Sequence, residues 1–270
     1  MTDQRKRVRL LGLLAGIVCL AGAGLSAQVT ASMNDAWGRY VATVEQRRAR
    51  EQGQSGGRFL ALDFEASSAN DRRAMLNGTV VMRHLTAVDG AGHELEVPDA
   101  MVHHWRGAVF LPGLTVQALI AQLEVGPPPQ EDVLRSAVLS RGPDQLRVFL
   151  RLQRRKIVTV VYNTEHDVRF IRLGPGRAAS TSVATKIAEV RNPGLSSESE
   201  YAPGDDHGYL WKLNAYWRYE DVPGGVIAEC ESVSLSRSVP FLVRTLVNPL
   251  IDGAARESLE RTLTSLRVRP

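Results

Sequence analysis

The fold of this chain is decided by residues 208–266, which read GYLWKLNAYWRYEDVPGGVIAECESVSLSRSVPFLVRTLVNPLIDGAARESLERTLTSL. From residue 209 the odd positions are apolar or aromatic and polar side chains fall between them, which is typical of a half-buried antiparallel strand. The residues Asp221–Gly225 then predict a tight turn. A turn in which residue 221 faces residue 226 predicts three cross-strand pairs: Trp217 with Cys230, Tyr219 with Ala228, and Arg218 with Glu229.

After this hairpin, apolar residues recur at three- and four-residue steps and predict an amphipathic closing helix. They are Leu250, Ile251, Ala254, Ala255, Leu259, Leu263 and Leu266. Two prolines divide the segment, so the pattern predicts a short helix over 241–247, a break near Asn248 and a longer helix that begins at Pro249. We expect the apolar stripe to cover the sheet face that carries Trp211, Leu213 and Trp217.

The long aromatic strand, its partner ending in SLSRSVP and the closing segment RESLERTL resemble a known family. They are similar to the START-like proteins, also described as SRPBCC, Bet v 1-like or polyketide cyclase/dehydrase-like proteins, in a divergent branch. The resemblance covers about residues 99–268. It implies an α+β helix-grip fold, in which a curved antiparallel sheet wraps around a long C-terminal helix and leaves a ligand cavity. It brings no catalytic signature.

Within this region the alternation of apolar and polar residues predicts the rest of the sheet. Thr115 is placed to cap a short helix over 116–123. The predicted strands lie at 101–111, 134–140, 146–153, 157–173 and 178–190.

Ahead of this domain the sequence predicts two further units, over residues 28–57 and 58–98. The first contains a helix from about residue 33 to 51, begun by a capping box at Ser32–Asp35 and followed by a glycine-rich linker. Its apolar stripe and its charged run EQRRARE either pack on the same domain or contact a partner. The second unit contains a strand over 60–65 and a hairpin over 80–97.

The first 27 residues have the three parts of a secretory signal peptide. Four basic residues accompany the start of an apolar run from Val8 to about Gly24, and small residues follow. We expect cleavage after Ala27 and export to the periplasm or the cell exterior. The alternatives are a retained membrane anchor, which the Gly and Ala content of the run disfavours, and lipidation of Cys19, which its apolar neighbours disfavour.

Loss of this segment changes the balance of charge. The full chain has 33 Lys and Arg against 29 Asp and Glu, whereas residues 28–270 keep 29 against 28. A nearly neutral, exported chain argues against a nucleic-acid partner, and leaves contact with a membrane surface or a protein open. Because Cys230 is then the single cysteine, core burial and not a disulfide must supply the stability.

The sequence lacks the spacing of common metal and catalytic sites. His103 and His104 are neighbours in a strand and therefore point to opposite faces, and there is neither a helical histidine pair nor a cysteine pair. No Gly-x-Ser-x-Gly elbow or phosphate-binding loop occurs. We therefore expect no metal, no cofactor and no nucleophilic catalytic residue.

A candidate ligand site lies on the strand over 157–173, where an apolar row of even positions is interrupted by Tyr162, Thr164 and His166. This mixture suits a ligand cavity, although the same groups can simply satisfy one another. The small residues opposite the aromatics of the hairpin favour a mostly apolar cavity over a filled core. The predicted ligand-binding side chains are Tyr162, His166, Trp217, Tyr219, Leu259 and Leu263.

Glu229 and Glu231 share one face of the last strand, two residues apart. Two carboxylates so close can share a proton and act as acid and base. Alternatively, they form the outer charged face of the sheet and pair with Arg218 for solubility, which the alternation favours because the aromatic residues take the other face.

Three functions therefore follow as hypotheses. The first is an exported START-like module that binds a hydrophobic small molecule or lipid between the sheet and the closing helix. The second is a cyclase- or hydratase-type enzyme that acts on such a ligand, with His166, Tyr162 or the two glutamates transferring protons. The third is an interaction protein of the cell envelope that recruits a partner through its N-terminal helix.

Overall fold

A computed structural model describes residues 29–54, 57–155, 159–238 and 244–267, and only the backbone of residues 244–252. The predicted signal peptide lies outside the described residues. The described helices are α1 (Ala31–Gln52), a short 3-10 helix (Ala61–Phe64), α2 (Ser68–Leu76), α3 (Val116–Val125) and α4 (Arg244–Ser265). The described strands are β1 (Val81–His84), β2 (Ala100–Pro112), β3 (Val133–Gly142), β4 (Gln145–Arg155), β5 (Thr159–Arg172), β6 (Arg177–Arg191), β7 (Ser199–Glu200), β8 (Lys212–Val222) and β9 (Gly225–Arg237).

These strands form one antiparallel sheet in the order β1-β2-β9-β8-β6-β5-β4-β3, with the short β7 paired to β6. The β8–β9 hairpin has the predicted register, because Trp217 lies opposite Cys230 and Arg218 opposite Glu229. The five predicted core strands and the Thr115-capped helix are present, with Thr115 Oγ1 accepting a hydrogen bond from the Ala118 N–H at 3.2 Å. The sheet therefore follows from the alternation of the sequence.

Helix α4 packs on one face of the sheet, which we call the inner face. Leu259 and Leu263 of α4 are buried in the same hydrophobic cluster as Tyr219, Ala228 and Cys230 of the hairpin. The helix approaches β2 closely, because a Cβ atom built on Gly107 would lie 2.5 Å from Leu263 Cδ1. An α+β fold with an antiparallel sheet closed by a C-terminal helix is the helix-grip arrangement that the resemblance implies.

Two details predicted for the closing segment are wrong. Helix α4 runs without a break from Arg244 through Asn248 and Pro249, whereas the prolines predicted an interruption. A proline removes one N–H donor and crowds the preceding turn, and a helix that packing stabilises can retain it close to its start. Trp211 does not lie under this helix, because it packs in a cluster on the opposite face with α1.

The opposite, outer face of β2, β9 and β8 is covered by the N-terminal segment. Met33, Trp37, Tyr40 and Val44 of α1 are buried there, in one cluster with residues such as Val233. The predicted apolar stripe of α1 therefore packs on the sheet of the same chain. The helix begins earlier than predicted, since Thr30 and not Ser32 is the capping residue; Thr30 Oγ1 accepts a hydrogen bond from the Met33 N–H at 3.2 Å.

The strand predicted over residues 60–65 is wrong, since Ala61–Phe64 forms a 3-10 helix. Carboxylates take the backbone donors that a strand partner would otherwise use. Asp63 accepts hydrogen bonds from the N–H groups of Phe59 and Leu60, each at 3.0 Å. Local capping of this kind competes with sheet pairing.

The hairpin predicted over 80–97 is present only as a short turn. Its first part, β1, pairs with β2 instead, so that Val81 lies opposite Ala108. A single bridge between Val88 and Glu94 then closes the loop. Among the described helices, none combines the length and the apolar character needed to cross a bilayer.

Candidate functional site

One transverse row of residues on the inner face is only half-buried, although helix α4 packs on this face. The row follows from the register of four strand pairs, and each of its five members is in part accessible. We call it the central row: Val168, Ser182, Ala215, Ser232 and Trp105.

The next row towards the β8–β9 turn is packed much more tightly. Phe170, Ser180 and Cys230 are buried there, and Gly107 is in close contact with α4. Only Trp217 in this row remains half-buried. Within these two rows the accessible strip consists of the central row and the Trp217 indole, with small side chains between two tryptophans.

His166 lies beside the central row and is held as a neutral imidazole. Its Nε2 lies 3.0 Å from Thr164 Oγ1, and its Nδ1 lies 3.4 Å from Ser182 Oγ, which belongs to the row. Burial lowers the pKa of His166 to about 4, because no nearby charge stabilises the protonated ring sufficiently. Serine and histidine groups of this kind can donate to or accept from a ligand oxygen.

Four of the six predicted ligand-binding residues lie together, in or against the inner core. Tyr219, Leu259 and Leu263 are fully packed, and Trp217 stacks on Tyr219 with ring centroids 5.9 Å apart. The Tyr219 hydroxyl is hydrogen bonded to Ser180 Oγ at 3.1 Å, and burial raises the pKa of Tyr219. Of these four side chains, that of Trp217 is the accessible one.

Tyr162 is separated from the others in a charged region at the far end of β5. It lies four residues from His166 along the strand, roughly 13 Å at the usual rise per residue. It faces Glu189, whose carboxylate accepts hydrogen bonds from the backbone N–H of His207 at 3.1 Å and from its Nδ1 at 2.5 Å. Burial and then the charge of Glu189 raise the pKa of Tyr162 well above 10.0.

On the outer face, Glu231 is the centre of a buried ionic network with α1. His104 Nε2 donates to Glu231 Oε1 at 2.6 Å, and Arg48 donates to Oε2 at 3.2 Å, while Arg47 also bonds to Oε1. The Tyr40 hydroxyl lies 2.9 Å from His104 Nδ1. Burial alone would raise the pKa of Glu231, but the hydrogen bond from His104 and the arginine charges outweigh it and lower the pKa.

Glu229 forms a second buried site on the same face. Its carboxylate accepts hydrogen bonds from the N–H groups of Ala61 and Leu62 at 2.7 and 2.9 Å. Arg106 lies 3.7 Å away, and Arg218 faces Glu229 across the hairpin. Burial raises the pKa of Glu229, and the two arginines oppose this rise only in part.

The prediction of a solvated charged face is therefore half wrong. Glu229 and Glu231 do lie on the outer face, but each is 1% exposed because the N-terminal segment covers them. Arg218 is 0% exposed and pairs with Glu51 of α1 at 2.7 Å. Since the two carboxylates point away from the central row, they have no access to a ligand on the inner face.

The two adjacent histidines point to opposite faces, as the alternation requires. His103 Nε2 lies 2.9 Å from Ser236 Oγ, whereas His104 bonds to Glu231 on the outer face. Within the described ranges, no group of three or more His, Cys, Asp or Glu side chains converges as a metal site would require.

Sequence reasoning missed Trp105, Ser182 and Ser232 as members of the site. The predicted hairpin register already places Ala215 opposite Ser232, and that signal was available. Ser182 lies opposite Val168 on the turn side of the register shift between Glu165 and His166, so the β5–β6 turn sets its position. Which row stays accessible depends on how helix α4 packs, and this leaves no clear mark in a single sequence.

No protein-family model and no curated protein matches the chain. Its fold is similar to that of three solved structures among others. A STAR-related lipid transfer protein from Xanthomonas axonopodis has 15% identity over 68% of this chain and 99% of its own, with a TM-score of 0.40. Human STARD10 has 9% identity over 75% and 79%, with a TM-score of 0.41. An aromatase/cyclase from a Streptomyces species has 13% identity over 63% and 97%, with a TM-score of 0.33.

Proposed function

We propose that this protein is an exported START-like binding module that holds a hydrophobic small molecule or lipid between the sheet and helix α4. The observation that carries the proposal is the central row. Five adjacent side chains stay half-buried on the face where a helix packs, while most of the next row towards the β8–β9 turn is buried. A strip walled by aromatic rings, with a few hydrogen-bonding groups, is typical of a small-molecule site.

The position of this strip determines which of the predicted residues a bound ligand would contact. Trp217 and His166 border the strip, whereas Tyr219, Leu259 and Leu263 support it from the packed core. Tyr162 would contact only a ligand that extends to the far end of β5. We therefore propose that Trp105, Trp217, Ser182 and Ser232 make the main contacts.

Binding without catalysis is the better supported of the two ligand-dependent functions. His166 contacts the central row through Ser182, and its pKa of about 4 makes it a weak base at neutral pH. The two buried glutamates face away. The third hypothesis, recruitment through α1, has less support because the apolar stripe and the charged run of α1 pack on the sheet.

Export is part of the proposal and depends on the sequence of residues 1–27. Intact mass measurement of protein recovered from a secreting host tests it, with a mass matching a start at Gln28 as the expected result. Recovery of the full-length chain in the membrane fraction would favour the retained anchor instead.

The ligand proposal is tested by native mass spectrometry of the purified mature chain and by titration with Nile red, a neutral dye that fluoresces in apolar surroundings. We expect a co-purified adduct, or saturable Nile red binding with one site per chain. A monodisperse, folded protein that carries no adduct and gives no saturable signal would contradict the proposed function.

A further inference from the structure

The central row carries no ionisable side chain. Its members contribute two serine hydroxyls, one indole and two apolar groups. Two titratable neighbours are also uncharged at pH 7, because burial lowers the pKa of the His166 imidazole to about 4 and raises the pKa of the Cys230 thiol, while a third, His103, is hydrogen bonded to Ser236. The described lining of the strip is therefore polar in places but electrically neutral.

Charges on the same strands lie on the other side of the sheet. Glu231, Arg218 and Asp167 are sequence neighbours of strip residues, yet the alternation of the strands directs them to the outer face. Two of them, Glu231 and Arg218, are already neutralised by α1. The sheet thus separates a charged outer face from a neutral inner strip.

The charged groups at the far end of β5 do not supply a counterion either. Arg154 is paired with Asp132, which also lies 3.8 Å from Arg261 of α4. Glu189 is paired with His207. A charged ligand group placed in the strip would lose its water and gain no opposite charge from the strip residues themselves, which is strongly unfavourable.

The strip does offer partners for an uncharged polar group. Ser182 Oγ and His166 Nδ1 are separated by 3.4 Å, a long contact that a ligand oxygen between or beside them can improve. Ser232 provides a further hydroxyl on β9. The Trp105 and Trp217 indoles provide apolar walls on either side of β9.

We propose that the strip selects an uncharged amphiphile, with an apolar body and a hydroxyl or carbonyl group, over a carboxylate or phosphate with the same body. This inference rests on the proposed function, since it specifies the ligand class of the same site. Ser182, Ser232 and His166 are the residues that recognise the oxygen.

The test uses the mature chain and a matched series of probes at pH 8: dodecan-1-ol, methyl dodecanoate and dodecanoate, each displacing Nile red below its solubility limit or, for dodecanoate, its critical micelle concentration. We expect the alcohol and the ester to bind at least tenfold more tightly than the carboxylate. Equal or tighter binding of dodecanoate would overturn the inference while leaving the proposed function standing. Failure of Nile red and of all three probes to bind would overturn the proposed function and the inference with it.

A charge introduced into the strip should reverse the preference. In Ser182→Lys the ammonium group supplies the missing counterion, so dodecanoate should gain at least tenfold in affinity relative to dodecan-1-ol. The control is Val183→Lys, because this neighbouring residue is 38% exposed on the outer face and should leave the ratio unchanged. A shift of the same size in both variants, or in neither, would contradict the inference. The comparison of probes on the unaltered chain holds even if Ser182→Lys fails to fold.

Discussion

Glu231 and His104 form a buried hydrogen-bonded pair between neighbouring strands, with Oε1 and Nε2 2.6 Å apart and side chains that are 1% and 2% exposed. Arg47 and Arg48 of α1 bond to the same carboxylate. A single glutamate thus connects the N-terminal helix to the centre of the sheet.

Glu231→Gln should destabilise the protein by about 3–5 kcal/mol, because it leaves buried cationic groups without their counterion. Urea unfolding at pH 7 measures the loss. The matched control is Glu165→Gln, which removes a half-exposed carboxylate bonded to Arg147 at 2.9 Å and should change the stability by at most about 1 kcal/mol. Similar losses in the two variants would show that the buried network has no special role.

The two buried glutamates should respond to pH in opposite directions. The pKa of Glu231 is lowered from 4.5, so its stabilising effect is complete above about pH 4.5 and disappears as the pH falls towards the folded pKa. The pKa of Glu229 is raised from 4.5, so the protein gains nothing from Glu229 ionisation and loses stability as the pH rises from 4.5 through the folded pKa.

Urea unfolding of the unaltered chain, Glu229→Gln and Glu231→Gln between pH 3 and pH 8 checks these signs. The stability advantage of the unaltered chain over Glu231→Gln should grow as the pH rises to about 4.5 and then stay level. Its advantage over Glu229→Gln should shrink above pH 4.5. Parallel pH profiles for the two variants would refute the assignment.

Gly107→Ala should lower the free energy of unfolding by about 1–3 kcal/mol through overpacking. The new Cβ would lie 2.5 Å from Leu263 Cδ1 and 2.6 Å from Met82 Sδ, so these side chains, or the elements that carry them, must move. Gly38→Ala is the control, because nothing lies within 4 Å of its Cβ position in α1 and it should stabilise by about 0.5–1 kcal/mol. Thermal melts of both variants distinguish these signs, and an unchanged Gly107→Ala melting temperature would contradict the close approach of α4.

Leu259→Asp should prevent the domain from accumulating in folded form. Leu259 is buried in the inner core. An unpaired carboxylate there costs several kcal/mol, which is comparable with the free energy of unfolding of a whole domain. Leu139→Asp is the control, since Leu139 is 49% exposed on edge strand β3 and should change stability by only about 0.5 kcal/mol. Soluble Leu259→Asp protein with an unchanged melting temperature would show that α4 does not close the fold.

The sheet could be predicted from sequence because alternation fixes both the face of each residue and the register of a tight hairpin. Trp217 and Cys230 are opposite each other as expected for this reason. Alternation does not reveal what covers a face. Arg47 and Glu231 are 184 residues apart, and nothing local in either segment indicates that they meet. The burial of the outer charges, and the covering of this face by α1, therefore became apparent only in the structure.

The candidate site could be predicted in part for a similar reason. Trp217 and His166 could be placed on the inner face because alternation along β8 and β5 fixes the face of each residue. The central row was missed because its accessibility depends on how closely α4 approaches each part of the sheet. How closely a helix approaches a sheet is set by the packing of many side chains together, and no local sequence pattern indicates it.

The most direct test of ligand binding at the central row fills the strip without changing the outer face. Ser182→Trp places an indole in the row, whereas Val183→Trp adds the same indole to the outer surface one residue away. Nile red titration of both variants, after thermal melts have shown them folded, measures the effect. We predict that Ser182→Trp lowers the affinity at least tenfold while Val183→Trp binds like the unaltered chain. Undiminished binding by a folded Ser182→Trp variant would contradict the assignment of the ligand to this strip.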